Sequence, residues 1–191
     1  MATFAPPATI KLRQPVMQNL DVSSATALCD VGTIIDDNAG RRFQYVYCSP
    51  GGTAQYYGSP AAWQASTVDY VVVADLSDTA AAATGATGGP AGGAAGFAGL
   101  FCLNNSSTTT GCYLWIQIKG LMDGACVSTD VAAEDELLIS ADDVLVDVQS
   151  YASSLTDVYC RVVGIALTAA AAHGTATGDQ TTHSTASVIL Y

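Results

Sequence analysis

Asp36-Asp37-Asn38-Ala39-Gly40 sets three oxygen-bearing side chains in a row, the chemistry of a hard-cation loop. An EF-hand loop also needs ligands at alternate positions and a distal bidentate glutamate, and the segment has neither. It reads instead as a hairpin turn, closed by Gly40 and flanked by the basic pair Arg41-Arg42. His173, Asp179 and His183 are the other candidate ligands, but they lie in a low-complexity stretch and match no zinc spacing. No metal or cofactor is expected. The chain's two histidines both fall in that stretch and no G-x-S-x-G elbow occurs, so no base stands beside a nucleophile. Gly85-Ala86-Thr87-Gly88-Gly89-Pro90 lacks the lysine of a phosphate loop. Asp142-Asp143 is a carboxylate pair in a turn, with no reason for a perturbed proton affinity. Nothing here assembles a catalytic apparatus, so the chain is read as a non-enzyme.

Six cysteines remain: Cys29, Cys48, Cys102, Cys112, Cys126 and Cys160. None forms a C-x-x-C pair, and several lie in apolar runs such as Leu100-Phe101-Cys102-Leu103. Buried thiols acting as small hydrophobes are the favoured reading, with a disulfide framework left open.

The chain has 191 residues, half of them apolar and only 12% charged, against about 25% charged in an ordinary soluble domain. A surface so poor in charge suits burial in an assembly. The net charge of −11 argues against nucleic acid as a partner, because phosphate binding draws on lysine and arginine. The uncharged stretch 79–105 is mostly alanine and glycine interrupted by Pro90, too weakly apolar for a membrane span. Lys11 and Arg13 are followed by Gln14, Pro15 and Gln18 rather than an apolar core, so no secretory leader is read.

The elements that must carry these residues are strands. Gly111-Cys112-Tyr113-Leu114-Trp115-Ile116-Gln117-Ile118-Lys119-Gly120 alternates strictly, with Leu114, Ile116 and Ile118 expected in the core. Its other face, Tyr113, Trp115, Gln117 and Lys119, is too aromatic for plain solvent and is expected to pack on another element or subunit. Residues 31–47 read as a hairpin across the aspartate turn, 68–74 and 95–103 as strands, and 137–148 as a hairpin. Residues 158–167 and 186–191 read as further strands, and a helical turn is expected only near 130–136. Residues 1–28 are punctuated by Pro6, Pro7 and Pro15 and read as an extended N-terminal arm. Residues 29–191 then form one domain, with Ala/Gly/Thr-rich loops near 78–99 and 168–185. Many short strands with glycine-rich turns indicate an all-β barrel or sandwich.

The strand Tyr113–Gly120, the acidic spacer Ala133-Glu134-Asp135-Glu136-Leu137, the strand Val163–Leu167 and the terminal Ala186–Leu190 together resemble the capsid decoration (cement) proteins of tailed bacteriophages. The hairpin from Leu28 to Tyr47 is similar to the segment such proteins carry near their start. The resemblance implies a small β-barrel, β-tulip or SH3-like, on the outside of a virion head assembled in the host cytoplasm. There it would bridge neighbouring major capsid subunits as a homotrimer or dimer, without nucleic acid or membrane. The expected contacts are the arm residues Ile10, Leu12, Val16 and Leu20 and the aromatics Tyr56, Tyr57, Trp63, Tyr113 and Trp115. A fibre or receptor-binding module that reads glycans is the alternative.

Overall fold

The alternation that starts at Cys112 does not stop at Gly120. In the computed structural model, which describes residues 20–50, 56–64, 70–73, 97–103, 110–139, 145–147, 162–172 and 184–191, one strand runs from Cys112 to Val127. Gly120 lets it bend and continue: its φ is +91°, and a Cβ there would meet the Gly40 carbonyl oxygen at 2.9 Å and Arg41 Cα at 3.0 Å. The buried amide of Gln117 pins the bend by donating to the carbonyls of Lys119, Gly120 and Leu121 at 3.2, 3.2 and 2.9 Å.

The described residues form eleven strands and no helix. They are β1 (Ile34–Asp36), β2 (Arg42–Cys48), β3 (Pro60–Trp63), β4 (Val71–Val73), β5 (Phe97–Phe101) and β6 (Cys112–Val127), followed by β7 (Glu136–Ile139), β8 (Leu145–Asp147), β9 (Gly164–Ala166), β10 (Ala171–Ala172) and β11 (Ser184–Leu190). The protein is an all-β barrel fold, as its sequence indicates.

The strands close into two five-strand rings that share β6. The first runs β2–β6–β5–β3–β4 and back to β2, antiparallel throughout except for β4 with β2. The second runs β6–β11–β9–β7–β8 and back to β6, antiparallel throughout except for β8 with β6. In chain order the first ring uses β2, β3, β4, β5 and β6, and the second uses β6, β7, β8, β9 and β11. Matched in that order, every neighbour and every direction agrees. The last strand of the first barrel is therefore the first strand of the second.

The register agrees as well. Leu100 lies opposite Gln117 and Pro60, as Ile165 lies opposite Ile189 and Glu136. Cys48 lies opposite Val72 and Cys112, as Val127 lies opposite Leu145 and Ser184. The first interior holds Val46, Ala61, Ala98, Phe101, Leu114 and Ile116. The second holds, at matching positions, Ala125, Leu137, Val163, Ala166, Ala186 and Val188. Even a connecting turn repeats. Phe101 N–H donates to the Ser59 carbonyl at 3.0 Å and Ala166 N–H to the Asp135 carbonyl at 2.9 Å. Ser59 Oγ accepts from Tyr56 N–H at 3.2 Å, and Asp135 Oδ2 from Ala132 N–H at 2.7 Å. The two barrels are packed together: Ala62, Val73 and Leu100 of the first join the apolar cluster of the second.

Three local expectations need correction. The helical turn expected near 130–136 is a non-helical connection, because Asp135 caps Ala132 and Glu134 takes φ +74°. The aromatic segment around Pro60 contains β3, a buried strand that its proline and alanines concealed. The loop 168–185 contains β10, which pairs with the start of β11. The hairpins 31–47 and 137–148 form as expected, through β1–β2 and β7–β8.

Candidate interaction surface

The aspartate loop is a turn whose own hydrogen bonds occupy its oxygens. Asp37 Oδ1 accepts from the N–H groups of Ala39 and Arg41, each at 2.9 Å, and Oδ2 receives Arg41 Nε at 2.6 Å. Burial pushes the Asp37 carboxyl up, but these bonds from Arg41 and Ala39 outweigh it and hold the group below the usual carboxylate range. Arg42 grips the exposed Asp36 with two guanidinium nitrogens, at 2.6 and 3.0 Å, and lowers its affinity for a proton. Among the described residues no group of three or more His, Cys, Asp and Glu is placed to hold a metal. His173, Asp179, His183, Asp142 and Asp143 lie outside the described residues.

Cys29, Cys48, Cys102, Cys112 and Cys126 are thiols, and all but Cys29 are buried. Desolvation pushes Cys102 and Cys126 up to about 12, so neither is a nucleophile at neutral pH. Cys160 lies outside the described residues.

The aromatic side of β6 is covered by the protein's own chain. Tyr45 and Trp115, opposite each other on β2 and β6, have ring centroids 5.0 Å apart, as do Tyr47 and Tyr113. Phe43, Tyr45, Cys102 and Trp115 form a cluster on the outside of the first barrel. Leu20, Cys29 and Val31 pack against it from the preceding segment, and Ile35 from β1. Ser24 bridges to Tyr113 through paired backbone bonds of 2.9 and 2.8 Å, and Leu28 N–H donates to the Tyr45 hydroxyl at 3.1 Å. Beside Leu20 a cleft of about 330 Å³ opens between Arg41, Tyr57, Gln117 and Met122, and Arg41 lies 5.6 Å over the Phe43 ring.

The expected contact residues therefore separate. Tyr57 is exposed, and Tyr56, Trp63, Tyr113 and Leu20 are half-buried. Trp115 is buried beneath the N-terminal segment. Ile10, Leu12 and Val16 lie outside the described residues.

Among the described residues, the matching outer positions of the second barrel carry no such cover. Leu121, Ile189 and Leu167 occupy the positions of Phe43, Gln117 and Cys102. The first three are 41%, 39% and 45% exposed, and the latter three 2%, 1% and 6%. Leu121, Ile189, Ile165 and Glu136 stand in one transverse row, each opposite the next across β6, β11, β9 and β7. Ser187 Oγ donates to Asp123 Oδ1 at 2.7 Å at the edge of this row. Sequence reading missed the face, although Val188-Ile189-Leu190 signalled it: three consecutive apolar residues on a strand must point one of them outward. No protein-family model matches the chain, and no curated protein matches it.

Proposed function

We propose that this protein is a structural virion protein that binds the outer surface of a phage head and bridges neighbouring major capsid subunits. The observation that carries this reading is the repetition of one barrel along β6, strand for strand and in register. A lattice of identical subunits offers the same surface at regular intervals. A chain built from two equivalent frames in fixed relation matches two such surfaces at once, and two modest contacts held together gain avidity. The low charge and the resemblance of Tyr113–Gly120, Val163–Leu167 and Ala186–Leu190 to decoration proteins support the same reading. The work is differential binding: a protein that binds the expanded lattice and not free subunits stabilises the lattice.

Cryo-electron microscopy of heads carrying this chain tests the reading. Two-barrel density lying across adjacent capsid subunits on the exterior is expected. Density inside the head, at the tail or on a fibre refutes it.

A further inference from the structure

We propose that the outer face of the second barrel is a docking surface for a segment of the capsid subunit. The segment lays apolar side chains on Leu121, Ile165, Leu167 and Ile189 and sets a basic side chain against Asp123 or Glu136. The choice of partner rests on the proposed function; the chemistry of the segment does not.

The repeat itself says what such a face is built to receive. In the first barrel the equivalent surface is closed by the preceding chain, turns and bends bridged once at Ser24, which drops Leu20, Cys29 and Val31 onto Phe43, Tyr45, Cys102 and Trp115 beside Ile35 of β1. In the second barrel the frame is the same: Leu121, Leu167 and Ile189 stand exposed where Phe43, Cys102 and Gln117 are buried, while Ser187 and Asp123-Gly124 replace Trp115 and Tyr45. Leu121, Leu167 and Ile189 are three of the exposed large hydrophobics of the described residues, gathered on β6, β11 and the end of β9 rather than scattered. The strand edge that Ser24 uses in the first barrel, beside Tyr113, is taken in the second by β10, where Ala171 lies opposite Thr185. The incoming segment therefore packs through side chains and not as an added strand. Asp123 flanks the apolar row on β6, and Glu136 ends it on β7 with Asp135 and Glu134 just before. On a chain of net charge −11 this rim selects a segment that carries lysine or arginine.

The test has two arms on the full-length chain. In the first, a synthetic Val-Lys-Val-Lys-Val peptide is titrated while backbone amide resonances are followed. The amides of Leu121, Ile165 and Ile189 should shift saturably, Leu121→Asp or Ile189→Asp should abolish the shifts, and a Val-Glu-Val-Glu-Val peptide should leave them unmoved. In the second, each variant is measured for binding to purified expanded heads, with a loss on the order of tenfold or more expected. Leu121→Ser with Ile189→Thr removes the apolar surface while keeping residues suited to a strand, and guards against unfolding by the aspartates. Shifts elsewhere, or equal shifts with the glutamate peptide, overturn the proposal. So does wild-type binding to heads by the variants. If the wild type fails to bind heads but the lysine peptide docks on this face, the function reading fails and the segment chemistry stands. A dimer that Leu121→Asp dissociates assigns the face to a second copy, and movement of the same amides by Leu12→Asp assigns it to the chain's own arm; either result overturns the proposal.

Discussion

Glu134 holds in the second barrel the place that Gly58 holds in the first. Gly58 N–H donates to the Phe101 carbonyl at 2.8 Å, and Glu134 N–H donates to the Ala166 carbonyl at 2.7 Å. Both residues sit at positive φ, +80° for Gly58 and +74° for Glu134. A side chain at that φ costs roughly 1–2 kcal/mol, which glycine avoids in return for greater freedom in the unfolded chain. Glu134→Gly should therefore stabilise the protein by about 0.5–1 kcal/mol in urea unfolding. Gly58→Glu should destabilise it by more, because a Cβ at Gly58 would collide with the Gly124 carbonyl. A destabilised Glu134→Gly variant would mean that the turn is not the equivalent of the first.

Gly99 and Gly164 make the same close approach in the two barrels. A Cβ on Gly99 would overlap the carbonyl oxygen of Gln117, and one on Gly164 the carbonyl oxygen of Ile189. Backbone cannot yield as a side chain tip does, so alanine at either site should cost roughly 1–3 kcal/mol. Gly99→Ala should cost the more, because Gly99 also sits at φ +156° and Gly164 has no such strain, as measured by chemical denaturation. Gly40→Ala is the control: nothing lies within 4 Å of its Cβ position, so only the strain of φ +79° is felt.

Gln117 is 1% exposed, and its two amide N–H bonds are shared by three carbonyls at the bend where β6 passes from one barrel to the next. Gln117→Leu keeps the volume but strands those carbonyls. A loss of about 1–3 kcal/mol is expected. Wild-type stability in Gln117→Leu would show that water serves the bend equally well.

Asp37 ties acid stability to the hairpin turn. Its folded affinity for a proton is lowered, so its stabilisation is complete above the unfolded value of about 3.9. It is lost as pH falls through the lower folded value. Unfolding free energy measured from pH 5 to pH 2 should fall less steeply in Asp37→Asn than in the wild type. Identical slopes would place the acid sensitivity elsewhere.

The strands of the first barrel were largely legible, because alternation and flanking glycines report a half-buried strand directly. Leu114 and Ile116 are interior and Ile118 packs beside them. The continuation of β6 was hidden by Gly120, which marks a strand end in most sequences and here marks a bend. The repeat was hidden more deeply. Leu114 is matched by Ala186, Phe101 by Ala166 and Cys48 by Val127, so the equivalent positions share burial and register but not identity. Barrel interiors accept such exchanges when neighbouring volumes compensate. Gly99 and Gly164 agree because the carbonyl opposite each leaves no room for a Cβ. Val188-Ile189-Leu190 signals one outward apolar residue on β11, but that Leu121 and Leu167 join it in an exposed group follows from the tertiary arrangement, which no local pattern encodes.

Cosedimentation of the full-length chain with expanded heads and with free capsid subunits, over a range of protein concentrations, tests the central claim most directly. Saturable binding to heads with none to free subunits is the expected result. Absent saturation, or equal binding to both, contradicts a lattice-bridging role.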